Sequence, residues 1–304
     1  NSMLDMAQGE VVCKPSAPAG GICLDSGALR AAPDFILTNI YLRVQGRESG
    51  LCAAGSFTVG INGELRLDQP LSYDGDFVVA AGGLVSHTVN DATGAYKAKL
   101  EVTGNMTIAA GGAIDVTGKG YPQAAGPGII GAYQSGASHG GLGARTSNAS
   151  ARTPGCYGSI TEPFDLGSGG ISTFGNAGGG AVWLEVGGVL RIDGDIAANG
   201  APGSAHYSGS GGSIYCRAGA IHGAGSIRAN TGAVTTSTPG GGGRIALVVT
   251  NEAAGWEGLT ATVEARGYSK SSASSSGTIY RETAADAPGR GELIIRGYGT
   301  LPMY

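Results

Sequence analysis

"GGAVWLEVGGVLRIDGDIAANG" (179–200) decides the fold. It holds short apolar runs separated by Gly-Gly and Asp-Gly, each too small to bury itself. Its opening recurs as "GGSIYCRA" (211–218), "GGRIALVV" (242–249) and "SGTIYRET" (276–283). Val182, Ile214, Ile245 and Ile279 fall in one column, spaced 32, 31 and 34 residues apart. Its ending recurs as "SIRANTG" (226–232) and "TVEARG" (262–267), aligning Ile196, Ile227 and Val263. An earlier copy is "AKLEVTGNMTIAAGGAIDVTG" (98–118). Strand-sized runs at a fixed period of this size stack as a solenoid.

The expected fold is therefore all-β: a right-handed parallel β-helix with coils of about 31–34 residues and Gly corners. Column residues point inward, and glycine turns the corner before each first strand because it takes φ > 0 freely. A phosphate loop would need GxxxxGK[ST] or GxGxxG leading into a helix, and no helical period follows Gly243. Residues 34–95 are strand-like with Gly or Asp turns and read as earlier coils or a cap. Residues 1–33 are expected to cap the rod and 34–304 to form the solenoid domain. Between "AIDVTG" (113–118) and Gly179 lies one long insertion, 119–177, where later coils have short loops. It carries His139, Arg145, Arg152, Cys156, Tyr157, Glu162 and Asp165. Long loops on a regular scaffold often carry function, though this one could equally be a passive cover over a sheet face.

Composition agrees. The chain has 304 residues with 58 glycines, yet 41% of it is hydrophobic and only 14% charged. That is too apolar and too uncharged for a disordered polymer. The net charge of −4, with no basic cluster, argues against nucleic-acid binding. No apolar run reaches the length of a membrane span. "NSMLDMAQGE" (1–10) is expected to be a mature or added terminus. Of the five cysteines, Cys13 and Cys23 flank a turn-rich loop that a disulfide could close; Cys216 reads as a buried free thiol. Asn105 and Asn148 fit the N-glycosylation triplet. The Gly/Ser/Thr-rich, Lys-poor composition points to an extracellular or cell-surface location.

Side chains alternate across a strand, so each first strand has outward columns. One holds Trp183, Tyr215, Ala246 and Tyr280; another Glu185, Arg217, Val248 and Glu282; a third Ala181, Ser213, Arg244 and Thr278. Trp183, Tyr215, Tyr280, Glu185, Arg217 and Arg244 are thus the candidate ligand or partner contacts. Sugar rings stack on flat aromatics beside charged groups, but the same column could pack under the insertion or against another subunit. Glu185 and Arg217 could be a simple cross-strand ion pair. Inward Arg281 breaks the apolar rule and suggests a frayed or open last coil. Asp193 and Asp195 could flank a glycosidic bond but suit turns better. Arg217, Arg244, His206, Tyr207 and His222 could serve proton abstraction but form no spaced motif. No metal motif and no cofactor is implied.

The GG-x-I-x-L and I-x-A-N-G pieces, with "SGSGGSIYC" (208–216) and "GGGGRIAL" (240–247), resemble the Gly-rich parallel β-helices of large extracellular surface proteins. The resemblance covers 97–118 and 179–282. The wider pectate-lyase-like superfold includes adhesins, fibre subunits, phage tailspikes and polysaccharide lyases. The lyase branch would add a basic cluster with acidic Ca²⁺ ligands on one sheet face, and the matched columns carry no such set. The expectation is a structural or adhesive module that associates with itself or with other surface or matrix proteins. The alternative is a polysaccharide-binding or polysaccharide-degrading protein using the aromatic column and the insertion.

Overall fold

The computed structural model describes residues 35–39, 41–44, 50–129, 135–144, 155–171, 176–201, 207–232, 238–268 and 274–296, with the strand backbones Leu4–Met6, Val11–Val12, Gly21–Leu24 and Ala28–Ala31. The described residues contain strands and turns but no helix long and apolar enough to cross a membrane. The strands form a 13-stranded and an 8-stranded sheet, parallel throughout except for the last strand, Glu292–Ile294.

Each coil of the regular region contributes three strand stretches. Ala98–Val102 pairs with the first half of Ala181–Ile192, Leu100 opposite Leu184, while Met106–Ile108 pairs with its second half, Met106 opposite Leu190. The long strand turns between these halves, where its register against Ser213–His222 shifts between Val186 and Val189. A third stretch, Asp195–Ala197, lies in the other sheet between Ala113–Asp115 and Ser226–Arg228. One coil thus presents three faces, as the recurrence of 179–200 implies.

The inward columns are those expected. Val182, Ile214 and Ile245 are fully buried and Ile279 nearly so, and Ile196, Ile227 and Val263 line the third face of the same core. Because like stacks on like, each coil buries the apolar face of its neighbour, at about 25 cal/mol per Å². Cys216 sits in this core as a free thiol, its pKa pushed up to about 12 by burial.

The coil length is not uniform. On the third face Leu42, Leu65, Val85 and Ile114 are successive neighbours, only 23, 20 and 29 residues apart. From 181 onward the spacings are 32, 31 and 34 residues on the first face and 31 and 36 on the third. Between Glu64–Leu67 and Leu71–Val79 the chain passes from the third face back to the first almost directly, whereas 87–97 form a loop at that corner one coil later. Asp68 stands at the direct junction, accepting from the Thr88 amide and hydroxyl at 2.7 Å each and paired with Arg43 at 2.6 Å. Gly21–Leu24 and Ala28–Ala31, within the segment expected as a cap, continue the same two sheets beside Tyr41–Val44 and Gly50–Val59.

In the later coils, one hydrogen bond closes each polar loop at its neck. Gly212 donates to the Ala198 carbonyl, Gly243 to Ala229 and Gly277 to Ala265, each at 2.7 Å. Gly180 donates to Val116 in the same way at 2.9 Å. The insertion is therefore the enlarged form of the loop that every later coil carries at this corner.

The glycines there serve a different purpose from the one expected. Gly240–Gly243 are absent from the described positions with positive φ. A Cβ on Gly241 would lie 2.0 Å from the Gly141 carbonyl oxygen, and one on Gly243 2.1 Å from that of Gly212. Glycine is required because backbones run against one another with no room for a side chain. Left-handed geometry recurs instead from coil to coil at the corner between the second and third faces, where Asn39, Asn62, Gly82 and Gly111 stack with φ between 53° and 81°. There the Asn62 amide donates to Gly82, and the Gly82 amide to Gly111.

Arg281 does point inward, but the last coil is not open. Its guanidinium lies 5.2 Å from the ring centroid of Trp256, which packs on the end of the core. Antiparallel Glu292–Ile294 then covers the outer edge of Thr278–Glu282. A cation over an indole face replaces the aliphatic contact that a further coil would have supplied.

Candidate functional site

The outward face of the first strands is where sequence reasoning placed the site, and most of it is covered. Tyr215 and Tyr280 are only 4% and 3% exposed. With Ala246, Trp183 and Val248 they form a second, smaller apolar cluster outside the solenoid core. The Trp183 and Tyr215 rings lie 4.0 Å apart between centroids. Phe164 of the insertion closes over Trp183 edge-on at 5.4 Å, and Lys97 sits 4.8 Å from the Phe164 ring. The Trp183 indole N–H donates to Glu185 at 2.7 Å. Glu185 and Arg217 are directly opposed across the strands, yet they are not among the ion pairs of the described residues. Tyr280 donates to Glu282 and accepts from the Gly291 amide at 2.8 Å, which ties it to the C-terminal turn.

The third outward column is buried beneath the insertion. Arg244, 5% exposed, donates through Nε to the Tyr157 carbonyl at 2.7 Å and through a terminal nitrogen to Thr278 Oγ1 at 3.0 Å. Burial lowers its pKa, against the opposing influence of Cys156, Asp165 and Tyr157. Ser213 Oγ donates to the Asp165 carbonyl at 2.6 Å. Deeper still, Tyr157 donates to the Leu166 carbonyl at 2.6 Å, and burial raises its pKa strongly. The His139 ring packs on Tyr157 at 4.6 Å, and its Nδ1 lies 2.8 Å from the Gly211 carbonyl. A carbonyl can only accept, so Nδ1 carries the proton. Burial drives the His139 pKa down to about 3, which keeps the ring neutral. The insertion also adds backbone bonds to the coil loops: Gly141 to the Gly242 carbonyl at 2.9 Å, Ala144 to Pro239 at 2.8 Å and Ser275 to Leu142 at 2.8 Å.

The residues weighed for catalysis do not converge. Asp193 takes Arg191 Nε at 2.5 Å and the Ala224 amide at 3.2 Å. Asp195 takes Ser226 and, at 2.8 Å, Arg228 of the next coil. Both carboxylates therefore hold turns and neighbouring coils. Tyr207 bridges to Thr238 among the loops, while His222 ends the second-face strand beside Gly258. Asn105 spans three coils, taking the Val189 amide at 2.9 Å and, through its own amides, meeting Asp76 Oδ1 at 2.7 and 3.3 Å. His206, Asn148, Arg145, Arg152, Cys13 and the side chain of Cys23, and with them the expected Cys13–Cys23 bridge, lie outside the described residues.

One part of the face stays open. Between insertion residues 161–162 and the turn 283–289 lies a cleft of about 460 Å³ over Val248 and Thr250. Tyr215, Arg217 and Glu162 line it, with Glu282 and Asp286 on the far side. Arg217 is exposed. Burial pushes the Tyr215 pKa up to about 12; Glu162 adds to the rise and Arg217 opposes it. Glu282 accepts from the Gly289 amide and Asp286 from Thr283, so both hold the turn. The sequence singled out Tyr215 and Arg217 but gave no sign that 283–289 would form the opposite wall. That wall exists because the chain reverses after Asp286 to lay Glu292–Ile294 on the last coil.

Comparison of the chain with protein-family models, with curated proteins and with solved structures returns no match.

Proposed function

We propose that this chain is an extracellular or cell-surface structural module: a right-handed solenoid of the pectate-lyase-like kind that holds partners along its surface. The observation supporting it most is how the chemistry-bearing side chains are used. Arg244, His139, Asp193 and Asp195 each bind the insertion or a neighbouring coil to the scaffold. Rigidity of this kind suits a spacer or an adhesive rod. Right-handedness follows the strong preference of parallel strand connections.

The test is to label intact cells of the source organism with an antibody to residues 181–282 and to compare attachment with and without the gene. Surface labelling and reduced cell–cell or cell–surface attachment are expected. Labelling only after permeabilisation, or unchanged attachment, would refute the proposal.

A further inference from the structure

We infer that the cleft over Val248 is a docking site for a short basic segment of a partner protein, gripped through its lysine or arginine side chains. This rests on the reading above that the rod holds partners, and it gives the chemistry of one of them. The buried centre of the site is the Tyr215 hydroxyl. Tyr215 is only 4% exposed and its ring packs on Trp183, yet among the described residues its hydroxyl has no hydrogen-bond partner. Glu162 on one wall and Glu282 on the other both act on that hydroxyl, so it faces the cleft between them. A buried polar group without a partner is costly, and a donor entering the cleft would supply what the chain does not.

Charge decides what enters. Glu162, Glu282 and Asp286 oppose Arg217 alone, three carboxylates against one guanidinium, a net charge of −2. Neither Glu162 nor Arg217 is among the ion pairs of the described residues. Glu282 holds the turn through Oε2 and Asp286 through Oδ2, which leaves the second oxygen of each for a ligand. Carboxylate oxygens only accept, and the ammonium and guanidinium groups only donate. Half-buried Val248 forms the floor, on which the aliphatic stem of a lysine or arginine can lie while its head reaches the carboxylates. The volume of about 460 Å³ falls in the range of small-ligand sites. The floor strand Arg244–Val249 is paired on both sides, so it offers no edge for an added strand, and side chains must carry the recognition. Both walls are fixed by their own hydrogen bonds, which keeps the ordering cost of binding small.

The test is calorimetric titration of the purified full chain with end-blocked Gly-Lys-Gly-Lys-Gly, Gly-Arg-Gly-Arg-Gly and Gly-Glu-Gly-Glu-Gly peptides and with spermidine. At least one basic peptide should bind saturably, more weakly as salt rises, and the acidic peptide should not bind. Glu162→Gln should weaken binding about tenfold, the loss of a charge-assisted hydrogen bond. Tyr215→Phe should weaken it about fivefold with unchanged thermal melting, because the hydroxyl supports nothing else in the fold. Arg217→Met should strengthen it about threefold by removing a like charge. Peptide binding reads the cleft alone, so its failure leaves the surface-labelling result standing, and the reverse. Absence of saturable binding by both basic peptides, binding of the acidic peptide, spermidine bound as tightly as the peptides, or unchanged affinity in Glu162→Gln would overturn the inference.

Discussion

Arg244 Nε donates to the carbonyl of Tyr157 at 2.7 Å, joining the first strand of one coil to the insertion that leaves the rod three coils earlier. The guanidinium is buried, and its other contact is the Thr278 hydroxyl of the following coil. One side chain therefore couples the insertion to successive coils. Arg244→Ala would leave two buried acceptors without donors, and a loss of about 2–3 kcal/mol is expected in urea unfolding. Exposed Arg217→Ala should stay within about 0.5 kcal/mol in the same measurement.

The glycine run gives a sharper contrast. Gly241→Ala places a methyl against the Gly141 carbonyl, and the clash is with backbone that cannot rotate away. A methyl group on Gly155 would meet nothing within 4 Å, and that residue carries no positive φ. Gly241→Ala should cost about 2–4 kcal/mol and loosen 135–144, by the cost of overpacking a filled space. Gly155→Ala should be silent, and differential scanning calorimetry of the pair decides it.

Trp183 and Tyr215 are packing residues on this structure, so Trp183→Ala with Tyr215→Ala should destabilise the protein by about 3–5 kcal/mol, the usual cost of removing large buried aromatics. The indole emission of Trp183 should shift to the red when Phe164→Ala uncovers it. An unchanged melting temperature for the double variant would show that the column is an open platform.

Stability should fall on mild acidification. Burial lowers the pKa of His139 to about 3 and of His87 to about 4, from an ordinary value near 6.5. Both rings are therefore neutral when folded and take a proton when the chain unfolds below pH 6.5. Their contribution is complete above that value and is lost progressively as pH falls towards 4. The charged groups acting on His139 are Arg244 and Lys97, and on His87 Lys119 and Asp68. Denaturant midpoints at pH 7.5, 5.5 and 4.5 should decline, and less steeply in His139→Gln.

The inward columns were legible because a β-strand alternates and stacked coils repeat, so Val182, Ile214, Ile245 and Ile279 announce themselves. The shortest early coil was hidden because it lacks the polar loop that marks a period: between Glu64–Leu67 and Leu71–Val79, Asp68 does with one side chain what later coils do with a loop. Arg244 could be placed on an outward column but not beneath a cover, since its partner Tyr157 is held by tertiary packing that leaves no local pattern. Tyr280 likewise reads as exposed until the antiparallel return of Glu292–Ile294 buries it. The four glycines were correctly placed at a corner, but their cause was not visible. Close backbone approach depends on Gly141 and Gly212, which only the fold brings beside them.

That the insertion is part of the rod is tested most directly by hydrogen–deuterium exchange of the intact protein, read on peptides from 135–144 and 155–171. Their amides are bonded to Gly179, Gly242, Pro239 and Ala144 among others. Protection within about tenfold of that in Ser213–His222 is expected, since local opening would have to break the Arg244 and Tyr157 contacts as well. Exchange at the rate of an open loop, with the coil strands still protected, would contradict it.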